Sequence, residues 1–64
     1  TDPAAKARAQ EVVKQLTESI ENYEKVAAKS EAAGNAKKAT EARESAAARK
    51  IWLEDAVKGL AEFN

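Results

Sequence analysis

One short break governs this 64-residue chain. Ala32-Ala-Gly-Asn-Ala36 stands almost at its middle, between two stretches of helix-forming residues in which alanine is the commonest. Glycine after a helical run supplies the left-handed residue that ends a helix. Asparagine opens the next one by accepting a hydrogen bond from its first turn. The N-terminus carries a similar signal. Asp2, or failing it Thr1, caps the first turn, and Pro3 takes the first helical position, where a missing N–H costs nothing. These marks predict helices over about 3–33 and 36–62, joined by a turn at 34–35, in a single domain spanning 1–64. Gly59 is a weak spot within the second helix. The rival is one continuous helix through Gly34, which the Gly-Asn pair disfavours.

Both helices carry an apolar stripe. Ala9, Val13, Leu16, Ile20, Tyr23 and Ala27 step by alternating fours and threes, as do Ala39, Ala42, Ala46, Arg49, Leu53, Ala56, Leu60 and Phe63. That spacing puts each set on one side of its helix. Folding about the turn apposes residues whose numbers sum to about 69, so that Leu16 lies near Leu53, Tyr23 near Ala46 and Ala27 near Ala42. Large mostly meets small. The bulk gathers at the open end, and alanine faces alanine near the turn. Arg49 interrupts its stripe, and its guanidinium must reach solvent or a carboxylate.

Charge agrees with an antiparallel pairing. Residues 17–33 carry a net −2 and residues 36–50 a net +3, while 1–16 carry +1 and 51–64 carry −2. The hairpin sets each acidic segment beside a basic one, which favours this register more than it adds stability. Glu21–Lys25 and Glu54–Lys58 add support along each helix.

A chain of this length buries only about 60% of its unfolded surface and needs help to be stable. With no cysteine and no histidine, disulfides, thiolate metal sites and the commonest general base are all missing. No cofactor or metal is expected. The carboxylate pairs Glu21/Glu24, Glu41/Glu44 and Glu54/Asp55 read as solvated helix faces, because a di-metal bundle site also needs histidine. Ser19, Ser30 and Ser45 have no base to activate them. The chain therefore reads as a non-enzyme. Eleven basic and eleven acidic residues cancel, leaving no excess for nucleic acid. The basic stretch 37–50, with Lys37, Lys38, Arg43, Arg49 and Lys50, is expected to be neutralised by Glu18, Glu21, Glu24 and Glu31. No apolar run is long enough to span a bilayer. A start at Thr1 without any methionine reads as a processed chain or an excised fragment.

What remains is the apolar surplus. In Lys50-Ile-Trp-Leu-Glu54, three large residues stand in a row, and no single helix face holds them all. With Leu53 on the stripe, Trp52 points about 100° to one side and Ile51 about 160° away. Val12 and Val26 each precede a stripe residue and fall on a flank. Val12, Val26, Ile51 and Trp52 are thus the candidate partner-binding residues, since exposed aromatics on a small scaffold are the usual anchors of a binding surface. The competing reading lays Trp52 over the hairpin flank as a packing lid.

The expected fold is all-α: an antiparallel two-helix hairpin that completes a four-helix bundle by homodimerisation or by packing on another helical protein. In length and mid-chain turn it resembles the small plasmid-encoded repressor-of-primer (Rop) dimers. The likeness is architectural and brings no RNA-binding motif with it. The turn segment also resembles a tetratricopeptide repeat, but the flanking helices are about twice too long. The functional expectation is a non-catalytic interaction or assembly module working through open-end apolar surface. The alternatives are a Rop-like nucleic-acid regulator using residues 37–50, or an idealised hairpin sequence. The uneven heptads and Arg49 argue against the last.

Overall fold

The computed structural model describes residues 2–63, which form two long helices. Helix α1 runs Pro3–Ala32 and helix α2 runs Ala36–Ala61. Asp2 is the cap of α1, its Oδ1 accepting from the Ala4 N–H at 2.9 Å, with Pro3 in the first turn. Thr1, the alternative cap, lies outside the described residues.

The turn is built by the backbone. Ala33 closes α1, and Gly34 follows at φ +79°, the only positive φ among the described residues. This lets the Asn35 N–H donate to the Ser30 carbonyl at 2.8 Å and the Gly34 N–H to the Glu31 carbonyl at 3.0 Å. Two carbonyls that the end of a helix leaves unsatisfied are thereby paired. Asn35 then serves the next helix. Its Oδ1 accepts from the Lys38 N–H at 3.1 Å, and its carbonyl accepts from Ala39 at 3.1 Å. A single residue so completes one cap and begins another, and the chain reverses within three residues.

The helices pack antiparallel along their length in a rod of 50 × 14 × 11 Å. Every residue of the two predicted stripes is buried or half-buried. Burial is uneven, however. The buried residues are Ile20, Ala27, Ser30, Ala39, Ala42 and Ala46, and all lie in the half next to the turn. Ser30 extends the α1 stripe one step beyond the expected end at Ala27. At the open end Val13, Leu16, Leu53, Leu60 and Phe63 are only half-buried, and no large side chain among the described residues is fully enclosed.

Candidate interaction surface

The flanks of the hairpin follow from the heptad. Each helix is lettered so that its stripe falls at a and d. Glu24 and Glu31 of α1 and Arg43 and Lys50 of α2 then occupy position e. Val12, Ser19 and Val26 of α1 and Lys38, Ser45, Trp52 and Gly59 of α2 occupy position g. In an antiparallel pair the e columns share one flank and the g columns share the other. The two sides of the rod differ accordingly.

The e flank is charged and paired. Lys50 Nζ donates to Glu24 Oε2 at 3.1 Å, and Arg43 pairs with Glu31. All four side chains are more than half exposed, so each pair adds only a few tenths of a kcal/mol. Their direction still helps to fix the register. Of the four glutamates expected to answer the basic stretch, Glu24 and Glu31 do so by direct contact.

The g flank is built differently. Arg49 is half-buried on the α2 stripe, and the carboxylates that pair across the helices stand on the other flank. It turns to aromatic rings instead. Its Cζ lies 4.6 Å from the Tyr23 ring centre on α1 and 5.5 Å from the Trp52 ring centre on α2, while Nη1 donates to the Ser45 carbonyl at 3.2 Å. Of the two expected outcomes for Arg49, no salt bridge to a carboxylate is seen among the described residues, and the half-buried guanidinium rests on rings that the sequence reading did not name. Two ring faces and one carbonyl hold the cation, each ring contributing about 0.5–1 kcal/mol at a partly exposed site. Side chains on a helix lean toward its N-terminus. That lean carries Arg49 one turn toward the bend, to the level of Tyr23, and is the signal from which the contact was derivable.

Trp52 consequently has one side against Arg49 and remains 54% exposed. Val12 and Val26 are exposed at 46% and 39% on the same flank, with an open groove beside Val26 lined by Tyr23, Ala42 and Ser45. These three of the four candidate residues share one face. The fourth, Ile51, is the most exposed large apolar residue at 62%, but its f position puts it on the back of α2. Val57 is also exposed and was not among the sequence candidates. It follows Leu53 by four residues and so reads as core, yet it falls on the e flank at the open end, where α1 gives it no cover.

The acidic pairs Glu21/Glu24, Glu41/Glu44 and Glu54/Asp55 are all exposed, and among the described residues no carboxylate cluster is arranged to hold a metal ion. No helix among them is long and apolar enough to cross a membrane. No protein-family model matches this chain, and no match is found among curated proteins or solved structures. The likeness to Rop dimers therefore rests on length and turn position alone.

Proposed function

We propose that this hairpin is a non-catalytic protein–protein interaction module, an assembly or accessory element that works through apolar surface left uncovered by its own fold. The observation that carries the reading is the exposure of Val12, Val26, Ile51, Trp52 and Val57 on a rod in which no large side chain among the described residues is fully buried. Large apolar side chains left exposed on a small scaffold, three of them (Val12, Val26 and Trp52) on one flank, support an association site. Four of the five lie in the open half, where the stripe residues are also only half-buried.

The nucleic-acid alternative draws less support. Of its five basic residues, Arg43 and Lys50 pair with glutamates and Arg49 is held between two rings, leaving Lys37 and Lys38 to contact phosphate. Such binding falls steeply as salt rises, whereas apolar association holds or strengthens.

The test is the thermal melt of the chain followed by circular dichroism at the highest workable dilution. The reading expects a broad, low-midpoint transition with reduced helicity, because one hairpin does not enclose its open half. A sharp, cooperative melt with full helicity in the dilute monomer would overturn it, since such a hairpin needs no partner.

A further inference from the structure

We propose that the occupant of the Val12–Val26–Trp52 flank is a second copy of this chain, packed face to face with both turns at the same end. The inference rests on the interaction reading and names its partner. The first support is area. The hairpin exposes 4674 Å², whereas a compact folded chain of its 6.9 kDa exposes about 4000 Å². The surplus of roughly 700 Å² is close to the ~800 Å² that each partner of a standard interface covers.

The second support is charge, and it selects the arrangement. Just outside the g columns, position c of α1 carries Arg8, Gln15, Asn22 and Lys29, and position c of α2 and its C-cap carry Glu41, Ala48, Asp55 and Glu62. The flank therefore has an uncharged-to-basic edge along α1 and an acidic edge along α2. Two hairpins can meet on this flank about a two-fold axis in two ways. If the turns lie at opposite ends, α1 faces its own copy, so basic meets basic and acidic meets acidic. If the turns lie at the same end, α1 faces α2 of the second copy, running antiparallel to it. Opposite edges then meet. The levels also agree, because facing residues sum to about 70 as they do within one hairpin. Arg8 faces Glu62, Gln15 faces Asp55 and Lys29 faces Glu41, each across the interface and each twice by symmetry.

Shape points the same way. In this arrangement Trp52 comes level with the small Ser19 of the second copy, between its Val12 and Val26, so a large side chain meets a gap. The e flank offers no equivalent, because a copy docked there would bury the Lys50–Glu24 and Arg43–Glu31 pairs and lose their hydration. Within the bundle so formed, those pairs stay at the outer surface.

The absence of cysteine permits a single-site distance test. Ala33→Cys carries a nitroxide at the turn end of the g flank, and pulsed electron paramagnetic resonance reads the distance between copies. The same-end bundle predicts a separation of roughly 20 Å. The opposite-end bundle predicts roughly 45 Å, about the length of a helix. The charge assignment is tested alongside by sedimentation. Lys29→Glu should weaken self-association roughly tenfold, and adding Glu41→Lys should restore it. The short distance with rescue supports the proposal. A long distance, or a double variant no better than the single, overturns the arrangement and leaves the interaction reading standing. A monomer at every concentration removes the second copy. Whether the interaction reading then also falls is decided separately by the melt of the dilute chain.

Discussion

Around the turn, Ala27, Ala39, Ala42 and Ala46 are buried between the helices. At the open end Leu16, Leu53, Leu60 and Phe63, with far more apolar surface to remove from water, are only half-buried. The half with the smaller residues is the better sealed. Two helices form a single layer, and the only shelter in it is the line where they touch. Alanine fits within that line, so the backbones approach and each side chain is covered by the opposite helix. A leucine or phenylalanine extends past the seam, where only a second layer could cover the rest of it. Apolar content and enclosure are separate quantities in a hairpin. Here the apolar content is concentrated where one chain cannot enclose it.

Truncating one large residue in each half should separate the two halves by the largest effect. Ile20 is the one large side chain buried in the closed half, at 6% exposure. Ile20→Ala should cost about 3 kcal/mol at any protein concentration. Leu53→Ala should cost about 2 kcal/mol in the dilute chain, where water already reaches the side chain, and more where a second layer covers it. Chemical denaturation at two concentrations measures both. Equal costs in the dilute chain would erase the difference between the halves.

A smaller effect separates the two glycines, one in each half. Gly34 sits at φ +79° with open space around it, so Gly34→Ala meets no clash but strains the backbone. It should destabilise by about 1 kcal/mol. Gly59 is helical, and an added Cβ would meet nothing within 4 Å. Gly59→Ala should therefore stabilise the open half, by at most about 1 kcal/mol. Thermal midpoints report both signs, and a stabilising Gly34→Ala would contradict the turn.

What the sequence made legible was whatever depends on local backbone preference and period. The Gly-Asn break specifies a left-handed residue followed by a cap, and both are seen at Gly34 and Asn35. The three-and-four spacing located the stripe residues other than Ser30, because which side of a helix a residue faces depends only on its number. The exposure of Val12, Val26, Ile51 and Trp52 followed from the same arithmetic. Three things did not follow. Ser30 is buried because it continues the α1 spacing three residues past Ala27, and its hydroxyl kept it out of an apolar stripe. Val57 lies four residues from Leu53 but at position e, off the stripe, on a flank that the opposite helix does not cover. Arg49 was expected to reach solvent or a carboxylate, and the direction in which helical side chains lean placed it against two aromatic rings.

The central claim is that the open half is completed by a second copy of the same chain. Sedimentation equilibrium over a wide range of protein concentration, at low and at high salt, tests it most directly. The account predicts a mass rising on concentration to twice the 6.9 kDa of one chain, with Trp52→Ala shifting the transition to higher concentration and high salt failing to abolish it. A mass that stays at one chain throughout, with Trp52→Ala indistinguishable from the parent, would contradict it.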